Sequence, residues 1–161
     1  MGREPIELPL NYREQFVHYA TVERSDGVIR HLYISPQAIQ SILNGEELPE
    51  RTMVIIEAYR PIPDNPSMHY LDPEVHVAES RSTWQIADLA ASSRVGTWNF
   101  GAFNAENGQP ITDTALNDCF SCHESVSSRN FLFSNPQLEA YAQTGKTQYS
   151  YCPRAGRAIC R

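Results

Sequence analysis

Lysine is almost absent from this 161-residue chain, because Lys146 is the single lysine among 13 basic residues. Chemistry that requires a lysine amine anywhere else in the chain is therefore excluded. Long apolar runs are also absent, and no segment has the length of a transmembrane helix. The net charge of −6 argues against nucleic acid or an anionic membrane surface as a main partner.

Cysteine is scarce as well, with four in the chain, but two of them form a distinctive motif. Cys119-Phe120-Ser121-Cys122-His123 is the Cys-x-x-Cys-His pattern that is typical of covalent c-type haem attachment. Two thiols add to the vinyl groups of one porphyrin, and the following imidazole binds the iron as its axial ligand. We therefore predict one haem c held by Cys119 and Cys122, with His123 on the iron. A redox-active thiol pair and half of a zinc site are the alternatives, but no second Cys-x-x-Cys pair and no βαβ pattern accompany the motif.

The other two cysteines, Cys152 and Cys160, bracket Pro153 and Gly156 in a stretch with the composition of a loop. This spacing suits a short disulfide, and two free thiols are the alternative. Thioether bonds to haem are formed outside the cytoplasm. We therefore expect a periplasmic or otherwise exported protein whose leader has been removed.

The hydrophobic pattern predicts one domain over residues 1–161, of mixed secondary structure. Alternation predicts strands over 28–34, 52–59, 74–80 and 97–103. Helical spacing and capping residues predict helices over 9–22, 35–43, 113–124 and 135–142, and a proline-rich loop follows the second strand. Because strands and helices are mixed and do not alternate regularly, the predicted class is α+β, a mainly antiparallel sheet with packed helices and the haem on a C-terminal helical segment.

Several motifs taken together resemble the cytochrome P-460 family, in order along nearly the whole chain. They are Leu8–Arg13, Ile29–Pro36, Val54–Glu57, Glu74–Ser80, Trp98–Phe100, and Cys119–His123 followed by Asn130–Ser134. The resemblance implies a homodimer whose haem iron is five-coordinate, with histidine below and an open position above. It also implies a distal arginine and a distal glutamate, which fall on Arg30 and Glu74. Arg30 lies on an otherwise apolar strand face, where a polar ligand or a haem propionate would offset the cost of its charge.

One departure from the family pattern decides the functional prediction. Family members that oxidise hydroxylamine carry a lysine cross-linked to the porphyrin, and Ile56, just before Glu57, stands at that position. Since isoleucine cannot form this bond, the chain looks more like the cytochrome c′-β branch, which binds nitric oxide and similar gases. We predict a monohaem cytochrome with an open distal site for NO or CO. The alternatives are an oxidoreductase acting on hydroxylamine, nitrogen oxides or peroxide, and an electron-transfer cytochrome with a sixth iron ligand and a redox partner protein.

The remaining candidate residues concern the distal side and the haem surroundings. His76 is expected to share a strand face with Glu74, so that Arg30, Glu74 and His76 form the predicted distal or catalytic set. The aromatic side chains of Trp98, Phe100 and Phe133 are predicted to pack around the macrocycle. Candidates for a sixth iron ligand are Met53, Met68, His18, His31, His69 and His76.

Overall fold

The computed structural model describes residues 6–81, 94–95, 98–111 and 135–153. Its strands are β1 Val17–Arg24, β2 Ile29–Ile34, β3 Thr52–Ile62, β4 Asn65–Leu71, β5 Glu74–Ser80, β6 Arg94–Val95, β7 Trp98–Asn104 and β8 Gln148–Cys152. Its helices are α1 Tyr12–Gln15, α2 Pro36–Leu43 and α3 Asn135–Thr144. Within these ranges, no helix has both the length and the apolar character that a membrane crossing requires.

The eight strands form one sheet in the order β6-β7-β5-β3-β2-β1-β8, and β4 pairs with β3 beside this path. All pairs are antiparallel except β1 with β8, which is parallel. The predicted α+β class with a mainly antiparallel sheet is therefore confirmed. The predicted haem-bearing helix 113–124 lies outside the described residues.

The sheet is packed on both sides, and alternation along the central strand β3 separates the two cores. On the helix face, where α2 and α3 pack, the core includes Ile34, Val54, Phe100 and Leu138. On the N-terminal face, where residues 6–16 pack, the core includes Leu8, Tyr12, Ile55 and Val75. Side chains of β3 therefore point alternately to two different environments.

The predicted helix over residues 9–22 is wrong, because α1 has only four residues and Val17–Arg24 forms β1. The pairing of β1 with β2 shifts between His18 and Ala20. As a result Tyr19 and Ala20, although adjacent, are both fully buried. This irregularity removes the strict alternation of a strand and leaves the spacing of apolar residues similar to that of a helix.

One smaller expectation also needs correction. The proline-rich stretch after β3 is not a loop, since Asn65–Leu71 forms β4 and pairs with the end of β3. Pro66 is accommodated on this short, largely exposed strand. In α2, Ile39 and Ile42 pack against the core, whereas Leu43 at the end of the helix is 49% exposed.

The turn between β1 and β2 depends on Gly27. Its φ of 86° lies in the left-handed region, where glycine avoids the clash that a side chain would cause. The Gly27 N–H donates to the Arg24 carbonyl at 3.0 Å. A Cβ at this position would lie 3.3 Å from Cγ of Pro61. The turn is therefore restricted both by its own backbone and by the β3–β4 hairpin.

We expect Gly27→Ala to destabilise the fold more than Gly45→Ala does. Both glycines have positive φ, so each substitution costs about 1–2 kcal/mol of conformational strain. A Cβ at Gly45 has no neighbour within 4 Å, while one at Gly27 must displace Pro61 at a further cost of about 1 kcal/mol. Urea unfolding of both variants measures the difference, and equal losses would show that the Pro61 contact does not matter.

Candidate functional site

The predicted distal residues lie on the helix face, beyond the part that α2 and α3 cover. One row of directly opposed residues crosses β2, β3, β5 and β7, and it consists of Leu32, Ile56, His76 and Ala102. Arg30 lies one row further along and is opposite Ala58. The alternation of side chains along a strand therefore places Arg30, Ile56 and His76 on the same face. Glu74 lies on this face too, because it is two residues before His76 on β5.

Arg30 is partly buried in this surface, and its guanidinium has no ion-pair or hydrogen-bond partner within residues 6–81, 94–95, 98–111 and 135–153. Burial lowers the pKa of Arg30 to about 10, and the nearby Arg24 and Arg60 contribute to the same shift. The group is still charged at neutral pH. A partly buried cation without a counter-charge is available to bind an anion or a polar ligand.

Glu74 and His76 form a pair on the same face, with the imidazole Nε2 3.1 Å from the carboxylate Oε1. Their side chains are 39% and 52% exposed. The Glu74 N–H donates to Asp72 Oδ1 at 3.0 Å, which fixes the start of β5. The predicted association of Glu74 and His76 is therefore present.

The candidates for a sixth iron ligand divide between the two faces of the sheet. Three lie on the N-terminal face, opposite to Arg30: His18, His31 and Met53. His69 is hydrogen-bonded through Nε2 to the Gly27 carbonyl at 2.9 Å. His76 remains on the helix face. Met68, which is 57% exposed on β4, shares this face because Tyr70, two residues further along the strand, lies opposite Arg60.

The haem motif itself, Cys119–His123, lies outside the described residues, as does Phe133. Trp98 and Phe100 are on the helix face and are 2% and 7% exposed. Both belong to the core beneath the helices. Their predicted contact with a macrocycle, like that of Phe133, therefore stays a prediction.

The structure describes one of the two cysteines in the predicted C-terminal disulfide. Cys152, the last residue of β8, is fully buried and disulfide-bonded. Its carbonyl accepts a hydrogen bond from the Ser25 N–H at 2.9 Å. The partner cysteine lies outside the described residues, so the pairing with Cys160 stays a prediction.

A second polar cluster, which the sequence did not reveal, lies on the N-terminal face behind Ile56. Its centre is Glu57, whose side chain is completely buried. The carboxylate accepts hydrogen bonds from three phenols and one guanidinium, and an imidazole lies beside it. The contacts are Tyr12 at 2.5 Å, Tyr33 at 3.1 Å, Tyr59 at 3.3 Å, Arg13 Nε at 2.9 Å and Nη2 at 2.7 Å, and His31 Nδ1 at 3.5 Å.

The environment of Glu57 keeps it ionised. Burial alone would raise the pKa of this carboxyl, but the contacts from His31, Tyr12 and Arg13 outweigh burial and lower the pKa to about 2. Burial, together with the Glu57 charge, raises the pKa of Tyr12 and of Tyr33. Across the described ranges, no group of three or more His, Cys, Asp or Glu residues could hold a metal ion. The cluster is therefore an ionised anchor that is satisfied by the protein itself.

Residues 9–134, most of the chain, match the family model described as Cytochrome P460. No curated protein matches the chain. The matched range contains β1 to β7, the helix-face site and the Cys119–His123 motif.

We expect Glu57→Gln to lower the free energy of unfolding by about 2–3 kcal/mol at pH 7, because it removes a buried charge that several donors satisfy. Tyr59→Phe is the control, since it removes only the longest phenol contact and should cost less than about 1 kcal/mol.

The free energy of unfolding of the same variants should also differ in its dependence on pH. The pKa of Glu57 lies below its ordinary value of 4.5, so its ionisation stabilises the fold fully above that pH and progressively less as the pH falls towards 2. The stability of the wild type should fall through this interval more steeply than that of Glu57→Gln. Parallel curves from chemical unfolding at a series of pH values would contradict the assignment.

Proposed function

The chain belongs to the cytochrome P460 family and is therefore a haem-binding cytochrome, and we propose that it carries one covalent haem c with an open distal site for NO, CO and related small ligands. Cys119 and Cys122 would hold the porphyrin, and His123 would be the axial ligand. The haem supplies an iron to which a diatomic molecule can bind. The observation that supports this proposal most directly is Arg30, which lies on the same face as Ile56 and His76 and has no ion-pair partner within the described part of the chain.

The helix face suits a haem because it combines apolar and cationic groups. Ile56 and Ala58, which are partly exposed, offer apolar surface to a porphyrin ring, and Arg30 offers a charge to a propionate or a polar ligand. These residues lie on rigid, paired strands at the end of the face that the described helices leave uncovered. The polar and apolar groups of a bound haem would therefore meet matching groups of the protein.

Position 56 supports ligand binding over hydroxylamine oxidation. Ile56 points to the same face as Arg30 and His76, where a lysine amine would be directed at the proposed haem position. Isoleucine presents only a hydrocarbon there. The single lysine, Lys146, follows α3 and does not belong to this face. The proposed haem is accordingly not cross-linked to a lysine.

The second candidate function is an oxidoreductase acting on hydroxylamine, nitrogen oxides or peroxide. The Glu74–His76 hydrogen bond favours it, because this pair could accept a proton from a substrate. An electron-transfer cytochrome is less well supported, since three of the six candidate sixth ligands lie on the opposite face of the sheet. Turnover of hydroxylamine or peroxide that His76→Ala abolishes would establish the oxidoreductase.

Cellular location and assembly belong to the same proposal. Haem c attachment and the disulfide at Cys152 both suit an oxidising compartment, so we infer that the protein is periplasmic or otherwise exported. We also infer a homodimer from the family, with a redox partner protein supplying or removing electrons. Size-exclusion chromatography with light scattering tests the dimer.

The proposed function is tested by absorption spectra of the protein exported together with haem-maturation machinery. We expect a high-spin ferrous haem that takes up one CO and one NO, because no described residue other than His76 or Met68 is on the correct face to occupy the sixth position. His76→Ala and Met68→Ala should therefore bind CO as the wild type does.

A low-spin ferrous spectrum that is insensitive to CO would contradict the open site. If His76→Ala then restored CO binding, His76 would be the sixth ligand and the protein an electron carrier. A strongly red-shifted ferrous Soret band would instead indicate a cross-linked porphyrin despite Ile56.

A further inference from the structure

Five aromatic rings form a continuous chain on the N-terminal face of the sheet. The ring centroids of Tyr12 and Tyr33 are 5.4 Å apart, and those of Tyr33 and His18 are 5.0 Å apart. The centroid of His18 lies 4.5 Å from that of His31, which lies 4.8 Å from that of Tyr59. Tyr12 is 1% exposed, whereas Tyr59 is partly exposed. The chain of rings therefore connects a buried phenol to the protein surface.

The three phenols of this chain donate hydrogen bonds to one base, the ionised carboxylate of Glu57. Tyr12 donates to Oε2, while Tyr33 and Tyr59 donate to Oε1. A phenol that loses one electron becomes a strong acid, and a base that is already hydrogen-bonded to it can take the proton at once. Such a base makes a tyrosine easier to oxidise, because no proton has to reach the solvent. Glu57 is therefore positioned to accept the proton of an oxidised phenol.

Arg13 accommodates the charge that remains when the electron has left. Its Nη2 lies 2.7 Å from Glu57 Oε2, so the two groups balance each other before oxidation. Afterwards the phenoxyl radical and the protonated carboxyl are both neutral, and the charge of Arg13 is no longer balanced by Glu57. The Arg13 side chain is 42% exposed, so that water can stabilise a charge that would be costly on a fully buried group.

Arg13 also determines the form in which Tyr12 is oxidised. Its Cζ lies 4.9 Å from the centroid of the Tyr12 ring, and a cation over the ring disfavours a radical cation there. The proton should therefore leave together with the electron. Among the three phenols, Tyr12 is the least exposed and has the closest contact with the carboxylate, so its radical is also the best shielded from solvent.

We propose that Tyr12 is a redox-active residue, which gives one electron to a one-electron oxidant while its proton passes to Oε2 of Glu57, and that the chain of rings carries electrons between Tyr12 and the surface at Tyr59. The oxidant is reduced by one electron, the O–H bond of Tyr12 breaks, and an O–H bond forms on Glu57. A one-electron reductant at the surface reverses the step. This inference goes beyond the proposed function and does not rest on it, because it requires neither a haem ligand nor an open iron.

The test is photo-oxidation of the ferric holoprotein by tris(bipyridine)ruthenium, with a cobalt(III) ammine as the terminal electron acceptor, followed by freezing and electron paramagnetic resonance. We expect a tyrosyl radical in the wild type, which is identified by the narrowing of its signal when tyrosine is ring-deuterated. Tyr12→Phe should lower the radical yield at least fivefold.

Tyr149→Phe is the matched control. Tyr149 also donates to a carboxylate, that of Glu23, but it is 63% exposed and does not belong to the chain of rings. Its substitution should leave the radical yield within about twofold of the wild type. Tyr59→Phe tests the path to the surface, and it should slow the reduction of the radical by ascorbate at least threefold.

A measurement on the wild type guards against variants that fold poorly. Electron–nuclear double resonance before and after exchange into D₂O should detect one exchangeable proton hydrogen-bonded to the phenoxyl oxygen, which is the proton held by Glu57. Glu57→Gln should lower the radical yield at least fivefold, because an amide cannot accept the proton.

The other outcomes contradict the inference. A radical on Trp98 or Tyr149, a phenoxyl oxygen without an exchangeable proton, or an unchanged yield in Tyr12→Phe would show that Tyr12 is not redox-active. An unchanged rate of reduction by ascorbate in Tyr59→Phe would refute the path to the surface. CO binding to the same preparation tests the proposed function separately, since either result can fail without the other.

Discussion

The Glu57 carboxylate accepts hydrogen bonds from side chains on α1, β2 and β3, and this interaction holds the centre of the sheet together. Tyr12 and Arg13 attach the N-terminal segment to it, and Tyr33 attaches the neighbouring strand. Because residues along a strand alternate, anchoring Glu57 on one face fixes Ile56 and Ala58 on the other. Ile56 and Ala58, which form the floor of the proposed site, are therefore held in place by an ionised group on the opposite face of the sheet.

The two faces of the sheet differ in how fully their polar side chains are paired. The N-terminal face contains a polar cluster whose hydrogen bonds are satisfied within the protein. On the helix face, Arg30 has no ion-pair partner among the residues that the structure describes, and the Glu74–His76 pair is half exposed. Unsatisfied charge on rigid strands is costly for folding and useful for binding, since the donors need no reorganisation when a ligand arrives. Ile56, which points to the same face, presents only hydrocarbon to it.

Sequence patterns predicted the strands that contain the site better than the rest of the fold. Regular alternation over β2 and β5 placed Arg30 and His76 on the correct faces. The irregular pairing near Tyr19 concealed β1, because two adjacent buried residues do not alternate. The Glu57 cluster could not be predicted, since its partners are separated by up to 45 positions and meet only when α1 folds over the sheet. A single acidic residue within the apolar run of β3 was the one available signal.

A crystal structure of the NO-bound holoprotein would locate the haem with respect to the two faces of the sheet. We expect the bound NO to lie against the helix face, next to Ile56 and on the same side of the sheet as Arg30 and His76, with Glu57 still bound to Tyr12 and Arg13 behind it. A haem bound on the N-terminal face, or a distal side lined by neither Arg30 nor Ile56, would contradict the proposed site.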